Sequence, residues 1–160
     1  MMLPAESRWS GFLLSLSHYH KDLIMKLQKI LLTLVFLVVA SPVFAAPQVL
    51  NLVDVPVPLT LDGKTLTKDQ VKAAIIAGAR DRSWIPTMHP EKKDTVIASV
   101  LVRGKHYAEV EISYTASAYS ITYRNSRELK YNPEKGTIHK SYNGWINLLS
   151  NSIQVRLNQS

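Results

Sequence analysis

The stretch "EVEISYTASAYSITYR", residues 109–124, decides the fold. Val110, Ile112 and Tyr114 alternate with Glu109, Glu111 and Ser113. After a short break, Tyr119, Ile121 and Tyr123 alternate with Ser120, Thr122 and Arg124. A period of two marks a strand with one face covered and the other in water. Two such runs joined by "TASA" read as an antiparallel hairpin. The four-residue loop sets Tyr114 beside Tyr119, Ile112 beside Ile121 and Val110 beside Tyr123. A slip of one residue would turn every apolar group outward. On the wet face the same register puts Glu111 opposite Thr122 and Glu109 opposite Arg124. It predicts a Glu109–Arg124 contact contributing roughly 0.2–1 kcal/mol.

Working outward, "TVIASVLVR" (95–103) alternates Val96, Ala98, Val100 and Val102 with Thr95, Ile97, Ser99 and Leu101, and Ala108 extends the next run. Placing Val102 beside Ala108 and Val100 beside Val110 requires an odd loop centred on Lys105. Trp84 to Met88 reads as a further strand, weakened by Pro86. Thr67 and Gln70 form a capping box, with Asp69 in the first turn, so a helix is expected from Lys68 to about Arg80. Val71, Ala74, Ile75 and Gly78 recur along it, and its small residues imply close packing on a sheet. A second helix is expected from Lys140 to Leu157, with Tyr142, Ile146 (or Trp145), Leu149, Ile153 and Leu157 as its apolar stripe. Gly144 costs that helix about 1 kcal/mol relative to alanine, which points to close backbone approach there. The expected fold is α+β: a four-stranded antiparallel β-meander with both helices on one face, a two-layer sandwich. The domain covers residues 67–160. Residues 46–66, interrupted by Pro56 and Pro58, read as an edge strand or extended N-terminal arm.

In front lies "MKLQKILLTLVFLVVASPVFAAP" (25–47). Lys26 and Lys29 supply a positive start, Ile30 to Ala40 an uncharged apolar run, and Val43-Phe44-Ala45 small side chains at the two recognition positions. This is the pattern of a signal peptide spanning residues 25–45, cleaved after Ala45. The rival reading is a retained anchor, with a run of marginal length for spanning a bilayer. Basic residues precede the run and none follows until Lys64, so both readings export everything after it. Residues 1–24 carry no helix caps and no clear period, and Met25 is the expected start. The expected location is the periplasm, with no stable membrane insertion once the leader is removed.

Residues 46–160 hold 15 Lys and Arg against 10 Asp and Glu. The excess is scattered rather than gathered in the dense stripe of a nucleic-acid reader, so no nucleic-acid partner is expected. Cysteine is absent, which excludes thiol catalysis, Cys-ligated zinc and a lipid-bearing Cys after the leader.

The strand "YSITY" (119–123), the loop "SRELKY" (126–131) and the helix start "IHKSYNGW" (138–145) resemble the pattern of an uncharacterised family of small exported proteins and lipoproteins of Gram-negative bacteria. "LVRGKH" and "DVPV" are similar as well, so the resemblance covers most of residues 46–160. It implies an envelope location and no known activity. Many members carry a lipidated Cys after the leader. This chain lacks it, which implies a soluble periplasmic form.

Chemistry is sparse. His89, His106 and His139 show no helical metal spacing, and neither a nucleophile elbow nor a phosphate-binding glycine loop occurs. No catalytic residue, metal or cofactor is expected. Glu109 and Glu111 share one strand face, a poor cleft for paired-carboxylate chemistry. Tyr114, Tyr119 and Tyr123 share the covered face and read chiefly as core. The candidate binding site is a groove between the last loop and the sheet end. Tyr119, Tyr131, Tyr142 and Trp145 would supply its apolar surface, and Arg124, Arg127 and His139 its polar anchors. The expected function is a non-catalytic periplasmic binding or interaction module for an envelope protein or polymer. The alternative is a small envelope hydrolase using His139 with a nearby Ser or Tyr.

Overall fold

The computed structural model describes residues 19–29, 45–60 and 62–160. It divides into two units, Met1–Phe44 and Ala45–Ser160. In the first, residues 19–29 form a helix, α1. This corrects the expectation of two helices: the helix begins inside the segment read as having no helical pattern and runs through Met25. Of the segment read as a signal peptide, residues 30–44, with the apolar run 30–40, lie outside the described residues. Among the described residues, no helix is long and apolar enough to cross a membrane.

The second unit is α+β. Its elements are β1 (Leu52–Pro56), α2 (Lys68–Asp81), β2 (Ile85–Met88), β3 (Thr95–Val102), β4 (His106–Tyr114), β5 (Ala118–Arg127) and α3 (Lys140–Leu157). The sheet has five strands in the order β1-β5-β4-β3-β2, with every neighbouring pair antiparallel. β2 to β5 are the expected meander. β1 is the fifth strand: of the two readings of residues 46–66, edge strand or extended arm, Leu52–Pro56 take the first, so the sheet has one strand more than the expected four.

Pro56 and Pro58 weaken β1 as a ladder partner, and side chains replace what the ladder lacks. The strand shifts register between Leu52 and Val55, where Asp54 takes a left-handed backbone (φ 52°). The Asp54 N–H donates to Ser120 Oγ at 3.0 Å, and Asn51 Oδ1 accepts the Tyr123 N–H at 2.8 Å. Further upstream, Ile138 N–H donates to the Pro47 carbonyl, and Asn143 bonds both Leu50 N–H and the Gln48 carbonyl. Residues 47–56 are thereby tied to the last loop, to α3 and to the sheet.

The β4–β5 register is as expected from Val110↔Tyr123 to Tyr114↔Tyr119. A bulge then follows, pairing Glu109 with Asn125 rather than Arg124. The expected side-chain contact still forms, with Arg124 Nε 2.6 Å from Glu109 Oε1. The β3–β4 register differs from expectation by two residues. Val100 pairs with Ala108 and Val102 with His106, because the chain turns at Arg103-Gly104 rather than about Lys105. Both turn residues have positive φ (54° and 65°), and Lys105 N–H closes the turn on the Val102 carbonyl at 3.2 Å. The shift is even, so the faces keep their assignment.

One face of the sheet is covered. Val96, Ala98, Val100, Ala108, Val110, Ile112, Tyr114, Tyr119 and Ile121 are buried there with the apolar stripes of α2 and α3. The Thr67–Gln70 capping box starts α2, and Tyr142, Ile146, Leu149, Ile153 and Leu157 of α3 are all buried. Each such Ile or Leu contributes about 1.5–3 kcal/mol by leaving water, against about 1 kcal/mol for a helix cap, so packing dominates. α2 packs against the sheet and also approaches α3 closely at Gly78. A Cβ on Gly78 would stand 2.7 Å from the Ile153 backbone N and Cα.

Candidate functional site

The last loop builds one wall of a cleft. Leu129 and Ile138 are buried and anchor its ends. Between them Asn132 and Thr137 exchange backbone hydrogen bonds of 2.9 and 3.2 Å, and Asn132 Oδ1 accepts Lys135 N–H. His139 N–H then donates to the Leu129 carbonyl at 2.8 Å. His139 is thereby fixed at the N-cap of α3, where its Nδ1 accepts the Ser141 N–H at 3.2 Å. Histidine is not among the preferred capping side chains, and no acidic residue occupies the first turn of α3.

The β3–β4 hairpin tip builds the other wall. Val102, Arg103 and His106 line a cleft of about 320 Å³ with Leu129, His139, Ser141 and Trp145. The His106 and His139 rings lie nearly parallel, 15° apart in plane with centroids 6.4 Å apart. Their tautomers follow from their partners. His106 Nδ1 stands 2.8 Å from the Glu128 carbonyl oxygen. A carbonyl only accepts, so this nitrogen carries a proton, and in the neutral ring Nε2 keeps the lone pair. His139 Nδ1 accepts a backbone N–H, so in the neutral ring the proton sits on Nε2. One ring therefore offers an acceptor and the other a donor. Arg103 and Ser141 add donors, while Trp145, Leu129 and Val102 supply apolar surface.

This arrangement is unsuited to a metal, because His139 cannot both cap with Nδ1 and present a neutral lone pair at Nε2. Among the described residues, no group of three or more His, Cys, Asp or Glu is placed to hold a metal ion.

The seven sequence-derived candidates do not meet in one groove. His139 and Trp145 line the cleft. Tyr119 and Tyr142 are core residues. The Tyr119 hydroxyl is 2.8 Å from Ser150 Oγ, and the Tyr142 hydroxyl is buried with no protein partner. Burial pushes both phenols above their ordinary range. Tyr131 is exposed and packs on Tyr123, ring centroids 4.4 Å apart. Arg124 and Arg127 lie on the sheet face opposite α2 and α3. Arg127 sits over the Tyr107 ring at 5.0 Å. Arg124 joins Glu109, Glu111, His89 and Lys92 in a charged network: its Nη1 lies 2.6 Å from Glu111 Oε1 and 3.2 Å from His89 Nε2, while Lys92 Nζ reaches Glu111 Oε2 at 2.5 Å. The Lys92 hydrogen bond, with help from Arg124, holds the Glu111 carboxyl below its ordinary value against the opposing effect of burial.

Sequence reasoning missed Arg103, His106 and Ser141. The readable signal was Arg103-Gly104 as a turn ending a strand, which would have moved the hairpin tip and His106 toward the last loop. No protein-family model, curated protein or solved structure matches the chain.

Proposed function

We propose that residues 45–160 form a non-catalytic binding module of the bacterial periplasm, whose ligand is an envelope component that seats in the cleft between the β3–β4 tip and the start of α3. The export reading of residues 25–45 and the resemblance quoted above motivate the compartment. One observation carries the binding role: both cleft histidines are held by backbone groups, His106 by the Glu128 carbonyl and His139 by the Ser141 N–H. Such rings are preorganised to recognise a ligand.

The hydrolase alternative requires His139 to take a proton from a hydroxyl. Its lone pair is already committed to the α3 cap, and its other nitrogen carries a proton. The tautomer therefore argues against His139 as the general base that this alternative requires.

The test combines cell fractionation with NMR. The protein is expected in the periplasmic fraction. Titration of the isotope-labelled full-length chain with envelope extract is expected to move side-chain signals of His106, His139 and the Trp145 indole. Recovery from the cytosol, turnover of an extract component, or shifts that avoid these three side chains would overturn the proposal.

A further inference from the structure

The chemistry lining the cleft narrows the ligand class, on the premise that the cleft is the module's binding site. We infer that it takes a single saccharide unit bearing a negatively charged group, a carboxylate or a phosphate, held between Arg103, the His106–His139 pair and Trp145.

Four features of the lining converge. Arg103 sits at the hairpin tip and borders the cleft, and its guanidinium is suited to paired hydrogen bonds with a carboxylate or phosphate. His139 Nε2–H and the Ser141 hydroxyl add donors beside the N-terminus of α3, whose polarity favours negative charge. His106 demands the opposite. Its Nε2 lone pair needs a donor from the ligand, which a fully ionised simple anion lacks and a sugar hydroxyl supplies. Finally, the Trp145 indole, with Leu129 and Val102, presents the apolar surface on which the C–H face of a sugar ring packs.

The two simpler ligand classes each leave part of the lining unused. A neutral sugar leaves Arg103 without a counter-charge. A small inorganic anion leaves Trp145 without a contact, and a fully ionised one also leaves His106 Nε2 without a donor. A hydroxylated anion of ring size satisfies all of them. The volume of about 320 Å³ lies at the small end of ligand pockets, which fits one ring rather than a chain. The Glu128 carboxylate nearby is partly offset by Lys105, 4.0 Å away.

The experiment titrates the labelled full-length chain with glucuronate, glucose 6-phosphate, glucose and inorganic phosphate, reading the His106, His139 and Trp145 side-chain signals by NMR. At least one acidic sugar is expected to shift all three, and which one responds identifies the charged group. Glucose and inorganic phosphate are expected to bind about tenfold more weakly or less, the loss of one charge-assisted contact. Arg103→Asn removes the charge while suiting the left-handed backbone of the turn, and is expected to lose about tenfold in affinity for the acidic sugar. His139→Asn keeps a strong N-cap but removes the Nε2–H donor, so it is expected to bind weakly while unfolding at an unchanged denaturant midpoint. Equal binding of glucose, equal binding of inorganic phosphate, or an Arg103→Asn variant that binds as wild type would each overturn the inference. If all four compounds fail while an envelope extract still moves the three signals, the acidic-sugar assignment falls and the binding module stands.

Discussion

At the residue scale, two glycines that look alike in the sequence have opposite physical roles. Gly78 and Gly144 each interrupt an amphipathic helix, and both invite the reading of close backbone packing. Only Gly78 has it. A Cβ there would meet the backbone of Ile153 at 2.7 Å and of Ser152 at 2.9 Å, and backbone cannot step aside as a flexible side chain can. Gly78→Ala is expected to destabilise by about 1–3 kcal/mol through forced separation of α2 from α3. Gly144 meets nothing within 4 Å, so Gly144→Ala is expected to stabilise by about 1 kcal/mol through helix propensity alone. Urea unfolding of the two variants should move the midpoint in opposite directions. The buried tyrosines make a second such pair. Tyr119→Phe removes a hydrogen bond to buried Ser150 and is expected to destabilise by about 1 kcal/mol, whereas Tyr142→Phe removes a buried hydroxyl with no protein partner and is expected to stabilise by a similar amount. Equal midpoint shifts for the two would contradict the difference in their surroundings. The sequence revealed that these positions are apolar-facing; what stands opposite each is a tertiary fact that no local pattern carries.

At the element scale, the alternation in residues 95–124 was enough to assign faces, because parity is the only thing a period of two encodes. It was blind to the even shift at the β3–β4 turn. Gly104 announced that turn, but nothing marked Arg103 as a second left-handed residue. It was equally blind to the bulge at Arg124, which inserts a residue and aims Arg124 at both Glu109 and Glu111. The even shift left every face unchanged, and the bulge reversed only the last three residues of β5, Asn125 to Arg127, which is why the sandwich was legible while the cleft, which depends on where one hairpin ends, was not. Pro86, read as weakening β2, has a specific position in the sheet. His89 N–H donates inward to the Thr95 carbonyl at 2.9 Å, so by alternation Ile85 and Thr87 also point their N–H groups toward β3, and Pro86 stands where an N–H would face outward. The proline therefore removes a donor from the open edge without costing the ladder a bond. Pro86→Thr restores that donor beside exposed Ile85 and Met88. It is expected to leave monomer stability within about 0.5 kcal/mol and to introduce concentration-dependent self-association in sedimentation equilibrium. A variant that stays monomeric at every concentration would show that the edge is protected by something other than this residue.

At the scale of the whole unit, the two layers divide the charged chemistry from the cleft. The helices close one sheet face, and the opposite face carries the network of Glu109, Glu111, Arg124, Lys92 and His89. The sequence reading takes Arg124 and Arg127 as polar anchors of the groove; alternation places Arg124 on the other side of the sheet, and the one-residue bulge carries Arg127 there as well, opposite Tyr107. The network also sets how the fold responds to acid. Lys92, and then Arg124, hold the Glu111 carboxyl below its ordinary value of 4.5. In the unfolded chain that partner set is lost, so the unfolded state binds the proton more readily in acid. The stabilisation is therefore fully present above 4.5 and is lost as pH falls through the lower, folded value. Asp81, held down by its paired hydrogen bonds from Arg156, contributes in the same direction, but its exposure to solvent leaves that contribution strongly screened. Glu111→Gln is accordingly expected to cost about 0.5–1 kcal/mol at neutral pH and to cost progressively less in acid, so that the stability curves of variant and wild type converge below the carboxylate range. Added salt should narrow the gap at neutral pH as well, since Lys92 and Arg124 beside Glu111 remain accessible to counter-ions. A constant offset between the two curves from neutral pH into acid would mean that Glu111 matters for its packing rather than its charge, and that the network on the face opposite α2 and α3 contributes nothing to the acid response.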